Sequence, residues 1–373
     1  MRLKDGVTKA NTGLDAIKRA PIVDVDTGLK CIRIQDISQN KGYEDWGFTT
    51  TTDKDRANFQ LKENDVLVAR TGATVGVSVY INKTLQSVYN NGTIRLRFND
   101  TVIPKFAYYT FQTKEFMQYI DNISCVATQP NLRIEGLLRF TIPDFDTKKQ
   151  RKIVDFLSNY DNLIENNNKR IRLLEQMAEN LYKEWFVRFR FPRHKTAEFE
   201  NGLPKGWEYK KLDKIITVCY GKDHSKVEDG SIPVYGSGGI MRYGNRALYD
   251  GESVLIPRKG SLNNIMWVNE PFWSVDTMFY TKALIPHIEK YLFYVLSSLD
   301  MASFNTGAAL PSMTTDILYH LKVLIPNETV LSKFDLMVTD LYEQRNMLEK
   351  ENQNLIKQRD LLLPRLMSGK LEV

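Results

Sequence analysis

Between Gln150 and Trp185, the residues Ile153, Leu157, Tyr160, Ile164, Asn167, Ile171, Leu174, Ala178, Leu181 and Trp185 fall at alternating steps of four and three. That is the spacing of a helix built to lie along another helix. Asn167 is its one polar member. Adding 181 to each number gives Phe334, Val338, Leu341, Arg345, Leu348, Asn352, Leu355, Arg359, Leu362 and Leu366, a second seam in the same phase. Each helix is about 35 residues, or roughly 50 Å at 1.5 Å per residue. Neither can bury its stripe alone, so the pattern predicts that the two pack on each other.

The repeat extends beyond the helices. Asp65-Val66-Leu67-Val68-Ala69-Arg70-Thr71-Gly72 returns, displaced by 188 positions, as Ser253-Val254-Leu255-Ile256-Pro257-Arg258-Lys259-Gly260. Phe106-Ala107-Tyr108-Tyr109 has a counterpart in Tyr291-Leu292-Phe293-Tyr294, Gln129-Pro130-Asn131-Leu132 in Leu310-Pro311-Ser312-Met313, and Ile142-Pro143 in Ile325-Pro326. The landmarks keep one order and each copy ends in a seam helix. The chain therefore reads as a tandem duplication of a globular domain followed by a helix. A duplication that keeps its framework and varies its loops suggests two binding modules aimed at different versions of one target class.

Within the first globule the runs Lys30-Cys31-Ile32-Arg33-Ile34 and Thr93-Ile94-Arg95-Leu96-Arg97-Phe98 alternate at the period of a strand, and Val66-Leu67-Val68-Ala69 reads as a buried one. Pro104 to Tyr119 reads as helical, with Phe106, Tyr109, Phe116 and Tyr119 on its buried side. The globule is expected to be mixed α+β. Arg70 stands where a buried strand ends and a glycine-containing loop begins, a place from which a long cationic side chain can leave the domain; a salt-bridged surface arginine is the alternative. After the first helix, Phe186-Val187-Arg188-Phe189-Arg190-Phe191-Pro192-Arg193-His194-Lys195 alternates apolar and basic residues and then breaks into a polar linker. It reads as an extended connector pinned by Phe189 and Phe191, or as a nucleic-acid patch.

Composition narrows the function by exclusion. The 373 residues are 42% hydrophobic and 26% charged, which suits two ordinary domains plus the helices. No apolar run approaches the eighteen residues of a membrane span, and Met1-Arg2-Leu3-Lys4-Asp5 is not followed by the apolar core of a signal peptide. A cytoplasmic location without membrane contact is therefore expected. Cys31, Cys125 and Cys219 lie far apart in apolar contexts, as reduced core thiols rather than a disulfide framework or zinc site. The net charge of +6 and pI near 8.9 are compatible with a polyanion partner without establishing one.

Catalytic motifs are missing. The only Gly-Lys pairs, Gly221-Lys222 and Gly369-Lys370, are followed by Asp223 and Leu371 rather than the Ser or Thr of a phosphate loop. His194, His224, His287 and His320 are dispersed. Tyr235-Gly236-Ser237-Gly238-Gly239 lacks the following helix of a nucleotide-binding turn. Pro143-Asp144 and Glu208-Tyr209-Lys210 are only fragments of a nuclease-like set, assigned to framework by the duplication. Without a Pro-Pro dipeptide, the Asn-Pro-Pro-Tyr type of amino-methyltransferase site is also absent.

Gln150-Arg151-Lys152-Ile153-Val154-Asp155-Phe156-Leu157, Asp161-Asn162-Leu163-Ile164, Leu173-Leu174-Glu175-Gln176-Met177-Ala178 and Leu181-Tyr182-Lys183-Glu184-Trp185-Phe186-Val187 resemble the central conserved region of specificity subunits of Type I restriction-modification systems. The tail from Arg359 to Leu371 looks like their C-terminal conserved region. Gly206-Trp207, with Leu212 and Gly221, looks like the opening of their target-recognition domains. The resemblance implies an α+β fold of two tandem target-recognition domains, each followed by a long helix, with the helices paired as an antiparallel coiled coil. The expected boundaries are 1–146 and 204–327 for the domains, 147–187 and 328–373 for the helices, and 188–203 for the connector.

By the same resemblance, each globule reads one half of a bipartite, asymmetric site on double-stranded DNA. The helices separate the halves and receive two methyltransferase subunits, with restriction subunits joining in the full complex. The chain itself would be no enzyme and hold no cofactor, S-adenosylmethionine, ATP and Mg being expected only on partner subunits. Base discrimination would come from long polar side chains in the major groove. Position favours Arg70, Thr71, Arg258 and Lys259, followed by Gln129, Asn131, Arg133, Tyr235, Ser237 and Ser312. Tyr182, Trp185 and Phe186 are expected as aromatic anchors for a partner subunit, or else as residues buried at the junction of helix and globule. A DNA-processing enzyme acting alone and a coiled-coil scaffold without DNA binding are the competing readings. A titratable cluster would mark the first, and DNA affinity insensitive to salt or absent would mark the second.

Overall fold

A computed structural model describes residues 1–39, 41–124, 131–307 and 311–372. Gln129 and Cys125 lie outside the described residues. The chain forms two units, one of Met1–Asn166 with Glu351–Val373 and the other of Asn167–Lys350.

In the first unit the main sheet places the strands in the spatial order Val7–Thr12, Thr93–Phe98, Val66–Ala69, Ser78–Tyr80, all antiparallel. The second unit repeats that order with Ile216–Tyr220, Met278–Ala283, Glu252–Pro257 and Met266–Asn269. A smaller sheet accompanies each. Each contains one parallel pair, Lys30–Ile32 with Ser87–Tyr89 in the first unit and Asp229–Gly236 with Trp273–Ser274 in the second. The duplication read from sequence landmarks is thus a duplication of topology.

Glycine is required at one repeated point of this frame. Directly after the first strand of each main sheet, a Cβ on Gly13 would stand 2.2 Å from the Tyr89 carbonyl oxygen, and one on Gly221 would stand 2.0 Å from that of Val275. Real side chains cannot enter such a space, so both positions hold the only residue without one.

Burial corrects two of the local expectations. The strand Thr93–Phe98 does not alternate between core and solvent, because Arg95 is fully buried. Its guanidinium donates to the carbonyls of Gln60 and Asn58 and to Asn11, and lies 5.0 Å from the Tyr89 ring centroid. A buried cation is tolerated only with such partners. The helix expected over Pro104 to Tyr119 is two helices, Pro104–Phe111 and Lys114–Ser124. Thr113 separates them, its hydroxyl donating to the Thr110 carbonyl and accepting from the Phe116 amide. Phe106, Tyr109 and Phe116 are buried, while Tyr119 is half-buried with its hydroxyl on the Gly136 carbonyl.

The long helices run Thr147–Tyr182 and Glu328–Met367. All twenty seam residues are buried or half-buried. In the first unit Ile153, Val154 and Leu157 share a core with Leu363, Leu366 and Met367, and Asp161 meets Arg359 at 2.9 Å. In the second, Ala178, Tyr182 and Trp185 share a core with Tyr342, Val338 and Phe334, and Glu175 meets Arg345 at 3.7 Å. Rising numbers on one helix meet falling numbers on the other, so within each unit the pair is antiparallel. The two seam arginines are also explained: each half-buried guanidinium faces a carboxylate of the other helix.

Gln150 couples the first long helix to its globule. Its side chain is fully buried, accepting from the Ile103 amide at 2.9 Å and donating to the carbonyls of Thr101 at 2.9 Å and Phe145 at 2.8 Å.

Candidate nucleic-acid interface

Arg70 follows the strand Val66–Ala69 and Arg258 follows Glu252–Pro257, the two repeat-equivalent central strands. Their backbone bonds match one for one. The Arg70 amide donates to the Gly92 carbonyl at 2.8 Å, and the Leu132 amide donates to the Arg70 carbonyl at 2.8 Å. The Arg258 amide donates to the Thr277 carbonyl at 2.8 Å, and the Met313 amide donates to the Arg258 carbonyl at 2.9 Å. Gly72 and Gly260 follow at φ of 83° and 88°, a left-handed turn that glycine makes without strain.

The loops that the sequence singled out separately come together in each unit. Thr71 bridges Asn131, and Lys259 bridges Ser312. Arg133, exposed, follows Asn131 at the start of the helix Ile134–Leu138. In the second unit the Asn305 side chain accepts from the Ser312 amide at 2.8 Å, while Asn264 donates to the Ser237 carbonyl at 2.9 Å. Asn264 and Asn305 were not anticipated, since an asparagine in a loop has no periodic pattern to betray its partner. Gln129 lies outside the described residues.

Both arginine side chains are half-exposed, and neither forms a salt bridge with a described residue, against the alternative of a paired surface arginine. One guanidinium nitrogen of Arg70 donates to the Asn91 carbonyl at 3.4 Å, and one of Arg258 donates to the repeat-equivalent Asp276 carbonyl at 3.2 Å. The remaining donors of each fork are left for an outside acceptor. The two sites differ in their second support. Arg70 also donates to the Leu132 carbonyl at 3.3 Å, whereas the Arg258 guanidinium lies over the Tyr220 ring, 5.3 Å from its centroid.

Four expectations need correction. Tyr235 is buried at 8% exposure, its ring against Phe272 and its hydroxyl donating to Glu270 at 3.2 Å, so it supports the hairpin rather than facing a groove. Burial raises the Tyr235 phenol above its ordinary value, with the Glu270 charge adding to the effect. Tyr182, Trp185 and Phe186 are also buried, at 7%, 6% and 6%, among Trp207, Tyr291, Tyr294 and Phe334 of the same unit. They are core residues of the helix and globule junction and offer no free face to a partner. The turn Lys183–Val187 that carries Trp185 and Phe186 is π-helical, and both are buried in that core.

Two of the connector's basic residues are likewise accounted for within the unit, while Arg193 and Lys195 are exposed. Arg188 and Arg190 pair with Glu184, and Phe189 and Phe191 pack on Trp207. Tyr235 to Gly239 forms a hairpin turn between the strands Asp229–Gly236 and Gly239–Gly244. Among the described residues no cluster of His, Cys, Asp and Glu is placed to hold a metal ion, and no helix is long and apolar enough to cross a membrane. Cys31 is a buried free thiol and Cys219 is half-buried.

Comparison with known proteins places this geometry in context. A family model described as "Type I restriction modification DNA specificity domain" matches twice, over residues 26–176 and 204–358. The chain is 28% identical over 314 residues to the type I restriction enzyme MjaIX specificity subunit of Methanocaldococcus jannaschii, covering 76% of this chain and 73% of the relative. It is 20% identical to the HindI specificity subunit of Haemophilus influenzae, covering 85% and 88%. Among solved structures, the S subunit of a type I restriction-modification system from M. genitalium has a similar fold, with a TM-score of 0.58 at 18% identity over 98% of this chain and 95% of that one.

Proposed function

Because the chain belongs to the type I restriction modification DNA specificity family, as a non-catalytic subunit that recognises DNA sequence, we propose that its two units read the two halves of a bipartite, asymmetric site. Arg70, Thr71, Asn131 and Arg133 serve one half. Arg258, Lys259, Ser237 and Ser312 serve the other. The observation that carries this reading is the pair of arginines in repeat-equivalent positions, with matched backbone bonds, half-exposed forks and no salt bridge to a described residue on either. An arginine so placed can give two parallel hydrogen bonds to guanine in the major groove, while neighbouring cations and hydroxyls bind phosphates.

The long helices set the spacing of the halves and receive one methyltransferase subunit on each unit, with restriction subunits completing the complex. Apolar side chains that the seam leaves outside support this role: Leu173, Met177, Leu336 and Met347 in the second unit, Leu163 and Leu361 in the first, all at least 48% exposed. These replace the buried aromatic trio as the docking residues. S-adenosylmethionine, ATP and Mg belong to the partner subunits in this reading, and the complex works in the cytoplasm.

The test is methylation of a randomised duplex library by the assembled complex. Arg70→Ala and Arg258→Ala should each relax base preference in one half-site only, by about 1–3 kcal/mol at the affected position. Unchanged preference in both variants would refute the assignment. Met177→Glu with Leu173→Glu should cost methyltransferase stoichiometry in co-purification while sparing the fold.

A further inference from the structure

The two readers stand in matched backbone frames but are held differently: Arg70 has a second carbonyl, that of Leu132, where Arg258 has an aromatic ring. Tyr220 ends the first strand of the second unit's main sheet, directly before Gly221, as Thr12 ends the equivalent strand directly before Gly13. Gly13 and Gly221 make the same close approach to the carbonyls behind them, so Thr12 and Tyr220 are structural equivalents. Only the second unit has a ring at this place.

The ring is itself fixed. Phe279 meets it edge-on with centroids 5.1 Å apart, and its hydroxyl is 3.4 Å from the Thr315 hydroxyl. Yet the residue remains 51% exposed, so its free area borders solvent beside the arginine. With the Asp276 carbonyl at 3.2 Å and the ring centroid at 5.3 Å, the Arg258 guanidinium is held at two points. A flexible arginine loses rotamer entropy on binding, and a ring that restricts it beforehand removes part of that cost.

We infer that Tyr220 is a positioning residue for Arg258: its ring holds the guanidinium in the orientation that reads the second half-site, a support that the first half-site reader lacks. This rests on the assignment of Arg258 as a reader. Tyr220 acts through the cation and its quadrupole, so an aromatic replacement suffices and an aliphatic one does not.

The experiment uses the full chain assembled with its methyltransferase subunits and a randomised duplex library, with base preference measured in both half-sites. Tyr220→Thr, which installs the first unit's residue, is expected to lower discrimination at the Arg258 half-site about two- to fivefold, the range of an exposed cation–π contact. Tyr220→Leu, which keeps apolar packing on Phe279, should behave alike, and Tyr220→Phe should retain wild-type discrimination. In an Arg258→Ala background Tyr220→Thr should add no further loss, and the other half-site should stay unaffected throughout.

If Arg258→Ala relaxes its half-site while Tyr220→Thr and Tyr220→Leu leave it intact, the positioning role is wrong and the reader assignment survives. If Tyr220→Thr weakens recognition equally in both backgrounds, the ring acts on the DNA or the fold, which also overturns it. If Arg258→Ala itself has no effect, both fall together.

Discussion

Replacing Gln150 by Leu removes a buried polar joint while keeping side-chain volume close to native. The perturbation is mild for the helix itself, since Leu331 holds the place 181 positions on and is 1% exposed. The cost lies in the three backbone groups that Gln150 satisfies, the Ile103 amide and the carbonyls of Thr101 and Phe145. A buried polar group left without a partner costs about 1–3 kcal/mol. Burying a leucine side chain returns about 1.5–3 kcal/mol. At the lower end for three groups the cost of about 3 kcal/mol only matches the largest return, and with mid-range values the first unit loses about 4 kcal/mol, several hundredfold in its folding equilibrium. Hydrogen exchange read by mass spectrometry should show the Ile103 amide exchanging faster by a comparable factor, together with lower urea resistance of the first unit and an unchanged second unit. A loss under about 1 kcal/mol, with the Ile103 amide still protected, would refute the reasoning.

Phe186→Ala should destabilise the second unit by about 3–5 kcal/mol, because the ring packs at 4.6 Å on Tyr291 and 4.9 Å on Phe334; a thermal midpoint within error of wild type would contradict that burial. Burial holds the Glu289 carboxyl above its ordinary value, with Glu252 nearby adding like charge, so its favourable contribution is complete below the unfolded value and is lost as pH rises through the folded one. Glu289→Gln should therefore raise the midpoint at pH 7 and not at pH 4, and a difference that ignores pH would count against it. Burial pushes the Cys31 thiol up to about 12, leaving roughly one part in ten thousand as thiolate at pH 8. Iodoacetamide should label Cys31 far more slowly in the native chain than in urea, and equal rates would show the site to be open.

What could be read from sequence was what repeats. The seam was legible because its period is a property of the helix alone, and even its arginines kept their phase. The duplication was legible because apolar strand, arginine and glycine recur in fixed order around Arg70 and Arg258. The pairing of Lys259 with Ser312 was not legible as a contact, since only the folded sheet brings those loops together. Aromatic residues were the weakest ground. Tyr182, Trp185 and Phe186 have the character of an interface anchor and of a core residue alike, and only the position of Trp207 and Tyr291 decides between them. Arg95 misled in the same way, because alternation assumes a wet face and the first four residues of its strand have none.

The bonds that place Arg70 and Arg258 are made by backbone atoms, and the left-handed turn behind each is supplied by its glycine. The fold thus specifies where a side chain projects without specifying which one. Asparagine or glutamine at either position would keep the frame and offer its amide to adenine in place of guanine. On the reading proposed above, a new target letter lies one or two nucleotide changes away in the coding sequence. In that reading each unit carries its own reader, so one half of the target would drift while the other stays constant, giving a lineage of such chains a large vocabulary from one scaffold.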